Sequence, residues 1–179
     1  MKSRSECLKE YGSDYMIQQE IDAGRLFKTG RGIYSKDRNT PEIAILAYQY
    51  PKAVITMRIA FYIQGLTDVI PEEYDLSTDR NASKIKAKQV KQYFAPSSFF
   101  KQGIETINYK GYPVKIYSKE RLLVELLRYK NKLPYDYYKE ILHNFRRILP
   151  QLNMQEIQDY VCEAPKSGRI METLQTEVL

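Results

Sequence analysis

Two groups of side chains near the amino terminus have the chemistry needed to contact DNA. Hydroxyl and amide groups that can hydrogen-bond to base edges are supplied by Ser13, Tyr15, Gln18 and Gln19. Groups that suit phosphate or the minor groove follow at Arg25, Lys28, Thr29 and Arg31. The spacing therefore predicts a base-reading segment followed by a phosphate-binding segment.

A short helix is predicted to position the base-reading group. Ser13 is a suitable N-cap, because its hydroxyl can accept a hydrogen bond from a free backbone amide in the first turn. Met16, Ile17 and Ile21 then fall on one stripe at helical spacing. Gly24 can adopt the left-handed conformation that ends a helix, so the helix is predicted to stop one residue earlier.

The phosphate-binding group falls in a predicted β-hairpin, residues 25–34, which we call the wing. Strand-like runs at residues 25–28 and 32–34 flank a glycine-containing turn. Another helix is predicted at residues 5–11, before the base-reading helix. Helices followed by a glycine and a basic hairpin outline a small winged helix-turn-helix, which we expect at residues 1–38.

Four segments along the chain support a family assignment. They are LFKTGRGIY at residues 26–34, YPKAVIT at 50–56, GLT at 65–67 and KERLLVELL at 119–127. Their order and spacing resemble those of the AbiEi-type antitoxins of type IV toxin-antitoxin systems, which act in abortive infection as phage defence. The resemblance spans nearly the whole chain.

This resemblance implies both an architecture and partners. It implies a winged-helix DNA-binding domain followed by a C-terminal antitoxin domain, residues 39–179 in this chain. The implied partners are double-stranded DNA, at inverted repeats in the protein's own promoter, and a nucleotidyltransferase-like toxin encoded beside it. The toxin would be antagonised with or without direct contact, and the protein would regulate its own operon.

Two features depart from the family pattern. Only about a dozen residues precede the base-reading helix, which leaves no room for the additional leading helix common in such domains. The base-reading helix also contains Asp14, Glu20 and Asp22 but no lysine or arginine, whereas family members often have arginines there. An acidic helix is repelled by phosphates, so we expect DNA contact to depend on the basic residues of the wing.

Composition fits a packed protein with an anionic partner. Of 179 residues, 43% are hydrophobic and 28% charged, which is typical of globular chains. The formal net charge is +6, which modestly favours a nucleic-acid partner. No signal peptide or run of about 20 apolar residues is present, so we expect a cytoplasmic protein without a membrane partner.

A second basic stretch lies in the middle of the chain. Between Arg80 and Lys101 there are six basic residues and no acidic one, with aromatic residues following. Lys84, Lys86, Lys88 and Lys91 form a candidate secondary nucleic-acid surface. The alternative is an edge strand or loop whose lysines prevent edge pairing while the aromatic residues enter the core.

The remaining pattern predicts an α+β fold. Strands are expected at residues 74–78 and 90–94 and in a hairpin at 103–117, giving a small, mainly antiparallel sheet. Helices are expected on either side of this region. They are predicted near residues 43–48, 59–63, 119–128, 135–149, 154–161 and 169–179.

No catalytic, cofactor or metal site is predicted. His143 has no nucleophile arrangement around it, and the Gly30-Arg31-Gly32 run lacks a nucleotide-binding fingerprint. Two alternatives to the antitoxin hypothesis stay open. One is a protein-interaction module without DNA binding; the other is an enzyme acting on nucleic acid through Asp75, Asp79 and Glu105.

Overall fold

The computed structural model describes all 179 residues and has nine α-helices and eight β-strands. This mixed composition confirms the predicted α+β class. The chain divides into two compact units. The N-terminal unit comprises Met1–Pro51 and Asn108–Val114, and the C-terminal unit comprises Lys52–Ile107 and Lys115–Leu179.

The N-terminal unit combines three helices with a small antiparallel sheet. In chain order its elements are β1 (Lys2–Ser3), α1 (Arg4–Tyr11), α2 (Asp14–Asp22), β2 (Phe27–Gly30), β3 (Ile33–Ser35) and α3 (Glu42–Gln49). The sheet order is β1-β3-β2, so the first strand pairs with the last. Strand β1 was not predicted, because a two-residue strand is defined only by its partner.

Local signals set the ends of α1 and α2. Ser3 and Glu6 form a reciprocal capping box at α1, with the Ser3 amide 2.7 Å from a Glu6 carboxylate oxygen. Ser13 caps α2 as predicted, accepting a hydrogen bond from the Met16 amide at 3.3 Å. Gly24 has φ of +69°, so it reverses the chain just after α2.

An apolar core holds the two helices on the sheet. Its buried members are Cys7, Ile17, Leu26 and Tyr34. The compact unit continues past residue 38 to Pro51, and the segment after β3 is held by hydrogen bonds that include Thr40 Oγ1 to Ser35 Oγ at 2.7 Å. The functional boundary placed after residue 38 stays a prediction.

The C-terminal unit consists of one sheet and six helices. The strands of this sheet are β4 (Val54–Ile55), β5 (Tyr74–Asp79), β6 (Val90–Ala95), β7 (Ile104–Tyr109) and β8 (Tyr112–Tyr117). The turn end of the β7–β8 hairpin, Asn108–Val114, is counted with the N-terminal unit. The helices of the C-terminal unit are α4 (Met57–Ile63), α5 (Ser97–Phe100), α6 (Lys119–Arg128), α7 (Tyr135–Ile148), α8 (Met154–Glu163) and α9 (Ser167–Glu177).

The sheet is mixed rather than mainly antiparallel. Its order is β6-β5-β4-β8-β7. Strands β5 and β6 are parallel over six residue pairs, and β4 is parallel to β8. Hydrophobic alternation indicates that a strand exists and which face is buried, but it contains no information about strand direction. The loop from Arg80 to Gln89 returns the chain to the starting edge and makes β6 parallel.

Helix α6 packs through a buried ion pair as well as its leucines. Arg121 is fully buried, and its guanidinium lies 3.4 Å from the ring centre of Phe99 and 4.2 Å from that of Tyr117. It donates a hydrogen bond to Glu125 at 2.7 Å and one to the Gln102 carbonyl at 2.9 Å. These contacts replace water around both charges.

Candidate nucleic-acid interface

Helix α2 presents its predicted base-reading side chains on an exposed face. The Tyr15 side chain is 70% exposed, and its hydroxyl accepts a hydrogen bond from Gln19 Nε2 at 3.0 Å. Gln18 is exposed as well and donates to Asp22 Oδ1 at 2.8 Å. The fourth residue, Ser13, caps the helix. Tyr15, Gln18 and Gln19 are therefore accessible to a partner, whereas the Ser13 hydroxyl is engaged in the first turn.

The four predicted phosphate-binding residues divide into two pairs. Arg25 forms two hydrogen bonds with Glu20, and Thr29 Oγ1 is directed at the Ile33 carbonyl at 3.4 Å. Lys28 and Arg31 are exposed and form no ion pair. The free positive charge of the hairpin therefore lies on Lys28 and Arg31.

The backbone of the β2–β3 hairpin places these two cations. Lys28 lies opposite Tyr34, and the register shifts between Lys28 and Gly30. Arg31 and Gly32 form the turn, where Gly32 has φ of +70° and its carbonyl accepts a hydrogen bond from the Arg4 amide at 2.9 Å. Arg31 consequently lies at the end of the hairpin.

Ion pairs compensate most of the negative charge on α2. Arg4 Nε lies 3.0 Å from Asp14 Oδ1, and Arg25 neutralises Glu20. The hydrogen bonds from Arg25 lower the pKa of Glu20, which keeps that carboxylate charged and paired. Asp22 is the one acidic residue of α2 without a cationic partner. The repulsion expected between α2 and phosphates is smaller than the residue count indicates.

The second basic stretch is a loop followed by an edge strand. Lys84, Lys86 and Lys88 are exposed in the loop, whereas Ile85 is buried. Lysines and apolar residues alternate over residues 84–88 as in a strand, but no strand forms there. Gln92 of β6 replaces strand pairing by accepting a hydrogen bond from the Ile85 amide at 2.8 Å.

Lys91 lies on β6 itself, with its Nζ 5.5 Å from the ring centre of Tyr93. The aromatic residues after the lysines have different environments. Phe99 is in the core against Arg121, whereas Phe94 remains 43% exposed. Of these two phenylalanines, only Phe94 can meet an external partner.

The acidic residues considered for an enzyme do not converge. Asp75 is fully buried and accepts three hydrogen bonds from Arg58, from its amide, Nε and Nη2 at 2.8–2.9 Å. These bonds raise the pKa of Arg58. Asp79 accepts from the Asn81 amide at 2.8 Å, and Glu105 from Gln64 at 2.7 Å. No group of three or more histidine, cysteine, aspartate or glutamate residues could hold a metal ion.

A cavity of the C-terminal unit was not predicted from the sequence. We call it the basic cavity; its volume is about 240 Å³, and Arg128, Lys130, Lys132, Lys166 and Arg169 line it. The lysines of residues 130–132 are evident in the sequence, but no feature of the neighbouring residues indicated that the start of α9 lies beside them.

Comparison with models of known protein families and with curated protein sequences found no match for this chain. None of its helices combines the length and the apolar character that crossing a membrane requires. The geometry of the two units is therefore the basis for assigning a function.

Proposed function

We propose that this protein is a DNA-binding antitoxin and transcriptional autoregulator of the AbiEi type. In this proposal the N-terminal unit is a minimal winged helix that binds the promoter of its own operon. The C-terminal unit antagonises a nucleotidyltransferase-like toxin, and the protein acts in the cytoplasm.

The observation that carries the proposal is the topology of the N-terminal unit. Its order β1-α1-α2-β2-β3, with the sheet order β1-β3-β2, is the order expected of a winged helix from its first strand onward. In that arrangement the second helix enters the major groove and the hairpin contacts the backbone or minor groove. In this proposal helix α2 and the β2–β3 hairpin, which follow in the same order along the chain, take those two roles.

Side-chain chemistry supports the same roles. Exposed Gln18 and Gln19 have amides of the kind that pair with adenine, and Tyr15 adds a hydroxyl beside them. Lys28 and Arg31 supply cations that no carboxylate of the chain neutralises. Base-reading groups would thus lie on the helix and phosphate-binding groups on the hairpin.

A protein-interaction module without DNA binding is the second candidate. It is favoured by the charge of α2, which has three acidic residues and no basic one. Arg4 and Arg25 are paired with the α2 carboxylates of Asp14 and Glu20, so neither has a free charge for phosphate. Under this alternative the C-terminal unit alone would act.

Two cellular readouts test the proposal. Expression of the neighbouring gene alone should arrest growth, and coexpression of this protein should restore it. A reporter placed behind the DNA upstream of the operon should be repressed by the wild type and released by Arg31→Ala. Growth rescue without repression would support the interaction module. If the protein neither restores growth nor represses the reporter, both parts of the proposal are contradicted.

A further inference from the structure

The basic cavity has an excess of positive charge that the chain leaves uncompensated. Arg128 is paired with Glu125 at 3.2 Å, and Lys130 with Glu177. The other three cations of the lining, Lys132, Lys166 and Arg169, have no carboxylate partner. No acidic side chain lines the cavity.

The rest of the lining suits a small anionic ligand. Asn131 and Thr173 add polar side chains, and Leu127 and Ile170 provide an apolar floor. Lys166 precedes the 11-residue helix α9, whose positive dipole end therefore lies beside the cavity. Three free cations around one small space match a phosphate group, which accepts several charge-assisted hydrogen bonds at once.

A second cavity has Lys132 in common with the first and supplies aromatic surface. We call it the aromatic cavity; its volume is about 200 Å³, and Tyr93, Phe94 and Tyr129 line it together with Lys91 and Lys132. Lys132 belongs to both linings, and its Nζ lies 5.2 Å from the ring centre of Tyr129. The ring of Tyr129 meets that of Tyr93 edge to face at 5.2 Å, which leaves exposed Phe94 as the ring available for stacking.

We propose that the two cavities together bind one nucleotide unit, with its phosphate among Lys132, Lys166 and Arg169 and its base against Phe94. Volumes of about 240 and 200 Å³ together fall in the usual range of small-ligand pockets, about 300–1,000 Å³. A free nucleotide and an unpaired nucleotide of single-stranded nucleic acid both present this chemistry. The site lies within the C-terminal unit and does not depend on DNA binding by the N-terminal unit.

The test uses full-length protein and three probes that separate phosphate from base. The probes are inorganic phosphate, adenosine monophosphate and a fluorescein-labelled single-stranded octaribonucleotide. Amide chemical shifts of ¹⁵N-labelled protein should move at residues 91–94 and 166–170 with both base-containing probes. With phosphate alone, the shifts at residues 166–170 should move and those at residues 91–94 should not.

Variants then assign the two halves of the site. Arg169→Ala should weaken all three probes about tenfold, the value of one charge-assisted hydrogen bond. Phe94→Ala should weaken only the two probes that contain a base, by about tenfold. Lys101→Ala is the matched control, because it removes an exposed charge that lines neither cavity, and it should change affinity by less than about twofold.

The outcomes show which of the two ligands the site binds, and they include the results that would overturn the proposal. Octaribonucleotide binding far tighter than that of adenosine monophosphate identifies single-stranded nucleic acid, and comparable affinities identify a free nucleotide. The proposal is overturned if no probe shifts these amides, or if Lys101→Ala weakens binding as much as Arg169→Ala does. Thermal unfolding of each variant confirms that it is folded. Duplex DNA binding is measured separately, so either proposal can fail alone.

Discussion

Arg25 donates two hydrogen bonds to Glu20, from Nε and Nη2 to the two carboxylate oxygens at 2.9 and 2.7 Å. Both residues flank the end of α2, so the pair neutralises one acidic residue of the helix and one basic residue of the hairpin at the same time. In the proposed DNA complex this leaves Lys28 and Arg31 as the cations available for phosphate.

The first prediction separates the two arginines of this region. Arg31→Ala should weaken binding to every duplex, and the negative slope of log affinity against log salt should decrease in magnitude by about one, the value for one lost phosphate contact. Arg25→Ala should leave that slope unchanged, because Arg25 is engaged by Glu20. Anisotropy titrations across several salt concentrations measure both slopes. Equal slopes for Arg31→Ala and the wild type would remove the hairpin from the proposed interface.

The second prediction concerns sequence reading by α2. Gln18→Ala should reduce discrimination at one base pair of the operator by about 1–3 kcal/mol while leaving the salt slope intact. Competition between duplexes that differ at single base pairs measures this discrimination. Arg31→Ala provides the contrast, because its loss should be uniform over all duplexes. Uniform loss for Gln18→Ala as well would contradict base reading by this side chain.

The third prediction concerns the buried ion pair of α6. Glu125→Gln should lower the free energy of unfolding by about 3 kcal/mol, because Arg121 would stay buried without a counter-charge. Urea unfolding of the whole chain measures the change. The control is Glu163→Gln, which removes an exposed carboxylate at the end of α8 and should change stability by less than about 0.5 kcal/mol. Equal stability of the two variants would contradict the structural role assigned to the pair.

The fourth prediction is a pH dependence at the capping box of α1. Hydrogen bonds from the Ser3 amide, the Ser3 hydroxyl and the Tyr48 hydroxyl lower the pKa of Glu6 to about 2 from an ordinary 4.5. Because the folded-state pKa is the lower one, the contribution of Glu6 is complete above the ordinary pKa and is lost as pH falls towards 2. The stability difference between wild type and Glu6→Gln should therefore shrink between about pH 5 and about pH 2.5. A difference that stays constant over this interval would contradict the capping role.

Local signals predicted the parts of the fold that depend on neighbouring residues. Ser13 and Gly24 mark the two ends of α2 as predicted, and the glycine-containing turn correctly predicted the β2–β3 hairpin. Their effects act within a few residues, so a single sequence is sufficient to infer them.

Features that depend on distant residues were not predictable in this way. Arg121 and Glu125 have the spacing of a surface pair, and only the rings of Phe99 and Tyr117 explain their burial. Glu20 likewise forms an ion pair with Arg25, which the sequence had indicated as a free phosphate contact. The basic cavity joins residues 127–132 to residues 165–173, so its charge is visible only after folding.

The most direct test of the central proposal is fluorescence anisotropy of the purified protein with a labelled duplex from upstream of its own gene. A scrambled duplex is the comparison, and both are titrated at two salt concentrations. The proposal predicts tighter binding to the native duplex that survives added salt, because hydrogen bonds to bases are screened less than phosphate contacts. Equal, weak binding to both duplexes that disappears with salt would contradict DNA reading by α2.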